Sequence, residues 1–247
     1  MKSDKLCVVT GTSAGIGAAV AETLLAGGWR VVGIARREAG LHDRNYTHVR
    51  LDLADPAAVE RYFTDDFARE YPAHDFRRVG LVNNAALLEP VGPLAKLELG
   101  ALARAFTVNS VVPVWLMGFF LRHSAGTPLR IVNLSSGSAI GARAGWAAYC
   151  ATKAALLMAG RVWGQEAEQV PGAHRDAAVL SYEPGLVDTQ MQTTIRGVSA
   201  TDFPSVGRFV EFHEQGRLSD PSRPAREIAA FLERDHAPAF GEGRIQP

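Results

Sequence analysis

The sequence predicts an α/β fold: one doubly wound parallel sheet of about seven strands with helices on both faces, in a single domain over residues 1–247. Three observations point there. Short apolar, β-branched runs alternate with longer helical patterns along the whole chain, as repeated β-α-β units require. The first such run enters a glycine turn that opens a helix. No repeat, low-complexity tract or long linker divides the chain.

Residues 5–10 (KLCVVT) read as a buried parallel strand, short and β-branched. Gly11-Thr12-Ser13-Ala14-Gly15-Ile16-Gly17 follows, with an alanine-rich helix over 15–27. A second strand covers 30–35 and a third 48–51. Asp55-Pro56 supplies an N-cap and a proline at the first helical position, so a helix is expected over 56–70. Strand 79–83 precedes a helix over 100–122. That helix holds the longest apolar run, Val111 to Leu121, too short for a membrane span of about 20 residues. It is apolar all round, which places it under the sheet or against another subunit. Strand 129–134, helix 146–169 and strand 176–182 follow. Asp220-Pro221, with Ser222 as a competing cap, begins a helix over 222–234. The stretch 190–220 mixes Gly, Pro, Ser and charge; an irregular segment of that length in a compact domain usually covers a ligand.

Composition narrows the function classes. There are 26 basic and 26 acidic residues, with no basic face or acidic tail, so no nucleic-acid partner is expected. Cys7 and Cys150 form neither a disulfide framework nor a metal spacing. No metal site, no membrane partner and a cytoplasmic location are the expectations, since Met1 leads through polar residues straight into the first strand.

Two constellations carry chemistry. Glycines in the turn remove Cβ atoms that would keep a phosphate away, and the helix start offers free N–H groups and a positive dipole end. The spacing is G-x-x-x-G-x-G rather than the general dinucleotide fingerprint, and a purely structural turn is the alternative. Tyr149 and Lys153 are four apart, hence on one helix face. An ammonium near a phenol favours the phenolate, lowering the tyrosine pKa toward neutrality. Such a tyrosine exchanges a proton with a carbonyl or alcohol oxygen. Ser136, upstream, is placed to hold that oxygen. The second strand ends in Ala35-Arg36-Arg37, where NAD sites carry an acid for the ribose 2′-hydroxyl. Arginine forks suit a 2′-phosphate instead, so NADP(H) is expected; a solvated arginine pair is the alternative.

The ordered pieces Thr10-Gly11-x-x-x-Gly15-x-Gly17, Asn83-Asn84-Ala85-Ala86, Asn109, Ile131-Val132-Asn133-Leu134-Ser135-Ser136, Tyr149-x-x-x-Lys153 and Pro184-Gly185-x-Val187-x-Thr189 resemble the classical short-chain dehydrogenase/reductase family over roughly residues 5–235. Ala86 stands where that family usually has glycine. The resemblance implies a Rossmann-type sheet and an oxidoreductase with Asn109, Ser136, Tyr149 and Lys153 as its catalytic set. It implies cofactor contacts at Gly11, Ser13, Gly15, Ile16, Gly17, Arg36, Arg37, Asp52, Leu53, Asn84, Ala85, Tyr149, Lys153, Pro184, Gly185, Val187 and Thr189. Within it, Asp52-Leu53 meets adenine, Val187 and Thr189 hold the carboxamide, and Asn109 holds a water that links Lys153 to solvent. Without it, Asp52 is a loop acid, Asn84 a turn residue and Asn109 a poorly placed helix residue. Ser135 is one residue too near Tyr149 for the family spacing. The apolar helix corresponds to a subunit interface, implying a homodimer or homotetramer.

A narrower likeness lies in Gly145-Trp146-x-x-Tyr149-Cys150-x-x-Lys153-Ala154 and Tyr182-x-Pro184-Gly185-x-Val187-Asp188-Thr189-x-Met191-Gln192, which are similar to sepiapterin reductases and bacterial benzil reductases. Ile195-Arg196 and a helix containing Phe209 and Gly216-Arg217-Leu218 fit the bacterial branch. Trp146, Cys150, Met191 and Gln192 would then line the pocket of a small-molecule carbonyl substrate; helix packing is the other reading of Trp146. Sepiapterin reductases anchor the pterin with an acid near the C-terminus. Here Gly241-Glu242-Gly243-Arg244-Ile245-Gln246-Pro247 holds no aspartate and Glu242 is not demonstrably equivalent, which ranks a 1,2-diketone ahead of a pterin. A non-catalytic NADP-binding regulator would have no need of Ser136, Tyr149 and Lys153 together. A nucleotide-sugar epimerase would need a C-terminal substrate domain.

Overall fold

Every strand in the structure, a computed structural model describing residues 4–124, 126–169 and 176–245, joins one parallel sheet. Residues 1–3 and 246–247, on which the readings of the two chain ends partly rest, lie outside the described residues. The strands are β1 (Lys5–Thr10), β2 (Arg30–Ala35), β3 (Tyr46–Arg50), β4 (Arg78–Asn83), β5 (Leu129–Leu134), β6 (Ala177–Glu183) and β7 (Phe240–Arg244). Their order is β3-β2-β1-β4-β5-β6-β7. Chain direction across the sheet reverses between β1 and β4, which opens a crevice at the carboxyl ends of those strands.

The helices are α1 (Gly15–Ala26), α2 (56–70), α3 (Leu99–His123), α4 (Ala147–Gln169), α5 (Gln190–Arg196), α6 (Val206–Glu214) and α7 (Ser222–Leu232). Alternation along β1 divides the core in two. Leu6 and Val8 face the cluster built on Phe63, Phe67, Leu116, Phe120 and Trp163 from α2, α3 and α4. Cys7 and Val9 face the other, with Val20 and Leu24 of α1 and Ile228 and Phe231 of α7. That period of two is why a fully buried strand reads as a continuous apolar run.

Three features depart from expectation. α2 and α3 each contain a π-helical stretch, Tyr62–Phe67 and Thr107–Val111. Such bulges are frequent at functional sites, and the second holds Asn109. In the stretch 190–220 the expected helix around Phe209 is α6, but it ends before Gly216, whose φ of +63° stops it short of Arg217 and Leu218, and a further helix, α5, follows Thr189. β7 was not expected, because FGEGR lacks strand character; it forms by pairing with β6 while Phe240 packs onto α4. α3 is long and apolar enough to cross a membrane, but 56% of that window is buried, as in a core helix.

Candidate active site

The crevice is built around Thr10. Its hydroxyl accepts from the Asn84 and Ala85 amides, both at 3.0 Å, and donates to the Val82 carbonyl at 3.3 Å. The Asn84 side-chain amide returns to the Thr10 carbonyl at 2.8 Å and the Gly11 carbonyl at 3.3 Å. The ends of β1 and β4 are thereby locked together at the point where the sheet reverses. Gly11 and Gly15 have φ of +77° and +59°, which side chains rarely tolerate. A Cβ on Gly17 would stand 2.3 Å from the Gly11 carbonyl oxygen. Gly17 is therefore a packing residue that lets α1 lie against the turn, rather than part of the cavity wall. α1 starts at Gly15, and Ala14 before it offers no side-chain cap, which leaves the first amides for an anion.

A cavity of about 300 Å³ runs along this edge. Its walls include Gly11, Ser13, Gly15, Ile16, Leu53, Asn84, Ala85, Pro184 and Thr189. Arg36, Arg37, Asp52 and Arg104 close one end, Tyr149 and Lys153 the other. Arg36 and Arg37 are exposed, with no ion pair to either among the described residues. Burial works to raise the Asp52 carboxyl, but the Ala54 amide and the Arg104 guanidinium outweigh it and hold it below the usual range. Arg104 reaches Asp52 at 3.2 Å from α3 and carried no signal in the sequence. A glycine cradle at an uncapped helix start, followed by exposed arginines, fits a nicotinamide dinucleotide with its phosphates on α1.

α4 places Tyr149 and Lys153 one turn apart and buried. The Lys153 ammonium lies 5.7 Å from the centre of the Tyr149 ring, but its hydrogen bond, at 2.6 Å, goes to the Leu134 carbonyl at the end of β5. The expected fall in the tyrosine pKa is therefore absent. Burial pushes Tyr149 up to about 12, opposed by a hydrogen bond with Ser136. Burial also lowers Lys153 to about 8. Ser136 in turn accepts from the Ser138 amide at 3.1 Å, which fixes its hydroxyl.

Asn109 is buried within the π-helical stretch. Its carbonyl oxygen accepts from the Leu87 amide at 2.7 Å, and its amide donates to the Leu87 carbonyl at 2.8 Å and Thr152 Oγ1 at 3.1 Å. These contacts tie the loop after β4 to α3 and α4, so Asn109 positions the Tyr149 helix.

A second cavity, also about 300 Å³, meets the first at Tyr149. Ile16, Ser135, Pro184, Thr189 and Met191 line both. Ser136, Trp146, Gly185, Val187 and Gln192 line the second alone. Trp146 is stacked on Phe203 at 4.6 Å and meets the Tyr149 ring edge-on at 5.6 Å, so it both packs and lines. Cys150 is absent from either wall; a helical step past Tyr149 turns it toward the Gly141 carbonyl, 3.8 Å away. α5 and α6 cover this cavity through Ile195 and Phe209. The covering segment is pinned at its two ends, Ser219 N to Leu186 O at 2.8 Å and Asp188 N to Ser219 O at 2.9 Å. Sequence reasoning missed Arg143, Glu183 and Arg208, which also line it. Glu242 instead pairs with Arg161 on the protein surface.

Comparison with known proteins agrees with this geometry. The sequence model described as short chain dehydrogenase matches residues 5–198. Benzil reductase ((S)-benzoin forming) of Bacillus subtilis is 31% identical, over 93% of this chain and 94% of that protein. Mouse sepiapterin reductase is 30% identical, over 93% of this chain and 92% of its own length. The crystal structure of the KRED1-Pglu enzyme superposes with a TM-score of 0.81 at 27% identity, covering 97% of this chain and 99% of that one. With the Tyr149 and Lys153 pair seated beside a dinucleotide-shaped crevice, these matches make the chain a member of the short chain dehydrogenase family, an oxidoreductase of carbonyl and hydroxyl groups.

Proposed function

We propose that the protein is an NADPH-dependent carbonyl reductase that converts one ketone of a vicinal dicarbonyl, such as benzil, to the hydroxyketone. The observation that carries this reading is the Tyr149 phenol at the junction of the two cavities, hydrogen-bonded to Ser136. The identity to benzil reductases supports the substrate class. Arg36 and Arg37 at the end of β2, with Ala35 where an acid would repel a 2′-phosphate, support NADPH.

In this mechanism the apolar walls formed by Trp146, Met191 and Ile195 hold the substrate with its carbonyl oxygen between Ser136 and Tyr149. A reduced nicotinamide, when bound, supplies the hydride for the carbonyl carbon. Tyr149 gives its proton to the oxygen, which completes the alcohol. Burial favours the neutral phenol, the form that reduction consumes. Lys153 stands beside the ring to stabilise the phenolate left behind, and its lowered pKa, about 8, lets it return a proton near neutrality. Asn109 holds α4 in place for both.

A pterin substrate is the second reading, favoured by the Glu183 carboxylate in the cavity wall, a partner for pterin donors. The assembly is a homodimer or homotetramer joined through α3 and α4. Its support is the exposed apolar row of Leu99, Val111, Val114, Met158 and Val162 on those neighbouring helices. The test is NADPH consumption with benzil and with sepiapterin, followed by chiral analysis of the product. Turnover of benzil to one hydroxyketone enantiomer supports the proposal. Turnover of sepiapterin alone replaces it with the pterin reading, and turnover of neither overturns both substrate classes.

A further inference from the structure

The charges at the mouth of the substrate cavity are unbalanced. The chain as a whole is neutral. Yet four charged side chains line this cavity: Arg143, Arg208, Arg244 and Glu183. Glu183 and Arg244 lie 3.5 Å apart and offset one another. Arg143 and Arg208 have no ion pair among the described residues. Instead, each guanidinium sits 5.8 Å from an aromatic ring of the same cavity, Arg143 over Trp146 and Arg208 over Phe212. The two come from different elements. Arg143 precedes α4, where its carbonyl accepts from the Trp146 amide at 3.1 Å, and Arg208 belongs to α6 in the covering segment.

Stacking on an aromatic face orients a guanidinium while leaving its N–H edge free for an anion. Two such forks over a low-dielectric apolar throat draw anions in and match a carboxylate in geometry as well as charge. A neutral diketone would use neither. We propose that the physiological substrate is an anionic carbonyl compound, with an apolar or aromatic body beside Trp146 and a carboxylate held between Arg143 and Arg208. This rests on reading the cavity as the carbonyl-substrate site. Glu183 does not oppose it, because Arg244 already balances its charge.

The test compares benzil bearing a para-carboxylate with the corresponding primary amide, which has nearly the same shape and no charge. The expected kcat/KM ratio, acid over amide, is about tenfold or more at low ionic strength. It falls in high salt, and Arg143→Gln and Arg208→Gln each lower it by about threefold or more. A ratio near one, or one that neither substitution changes, overturns the inference and leaves the diketone reductase reading intact. If neither compound is turned over, calorimetry with biphenyl-4-carboxylate and its amide decides, using protein loaded with oxidised cofactor. Tighter binding of the acid, lost in either variant, upholds the arginine pair, and turnover of unsubstituted benzil decides the diketone reading separately. Equal binding overturns the inference.

Discussion

Replacing Lys153 with Met is expected to stabilise the fold while abolishing catalysis. The side chain is 3% exposed, and burial lowers its pKa from 10.5 to about 8. Near neutral pH the amine remains protonated in both folded and unfolded chains, and the difference in pKa is the cost of burying that charge. At 1.36 kcal/mol per unit this cost is about 3 kcal/mol. Methionine fills similar volume without charge, but the Leu134 carbonyl loses its donor, which returns about 1 kcal/mol. A net gain of about 2 kcal/mol translates to roughly 4–8 °C in Tm for a chain of this size. The pH dependence is the sharper test. Between about pH 8 and 10.5 the folded state sheds this proton while the unfolded chain keeps it, so wild-type stability rises with pH there. The variant lacks that rise, and its advantage shrinks to near zero by about pH 9.5. Thermal melts of both proteins at the two ends of this range check it. A Met variant that is less stable at neutral pH, or whose advantage is independent of pH, refutes the claim that Lys153 carries a desolvation penalty.

Three further outcomes are expected. Tyr149→Phe reduces turnover by about a hundredfold or more while cofactor affinity, followed by fluorescence titration, stays nearly unchanged; substantial residual activity removes Tyr149 as the acid. Arg36→Asp lowers the NADPH-to-NADH ratio of kcat/KM on the order of a hundredfold, and an unchanged ratio places the 2′-phosphate elsewhere. Val114→Asp, on the exposed row of α3, converts the assembly to smaller species in light scattering; an unaltered mass excludes that face as the interface.

The reach of the sequence differed between parts of the molecule for physical reasons. β1, β2, β4, β5 and β6 were legible because strands buried on both faces need unbroken apolar runs. β7 was not, since its two glycines and two charges are tolerated only where β6 pairs with it and Gly160 and Gly164 make room for Phe240. α5 was hidden in a stretch whose composition reads as irregular, and the π-helical turn around Asn109 leaves no periodic mark. In the site, helical spacing puts Tyr149 and Lys153 on one face, and only the ordered motifs around them single out that pair and Ser136. The direction of the tyrosine pKa could not be read from the sequence, because it depends on which carbonyl the lysine finds, and Leu134 is fixed only by the packing of β5 against α4. Arg104, Arg143, Arg208 and Glu183 belong to segments far apart in the chain, and only the fold gathers them.

The hydrogen bonds joining Leu186 and Asp188 to Ser219 bring the two borders of the intervening segment side by side on the rim of the sheet. A stretch whose entry and exit coincide is a cassette. Its length and content are free to change without disturbing the strands below, because the chain leaves and re-enters the scaffold at the same spot. Selection, or an engineer transplanting residues 192–218 between relatives, therefore gains new ligand preferences while the proton-handling tyrosine and the nucleotide crevice, whose wall ends at Met191, stay where they are.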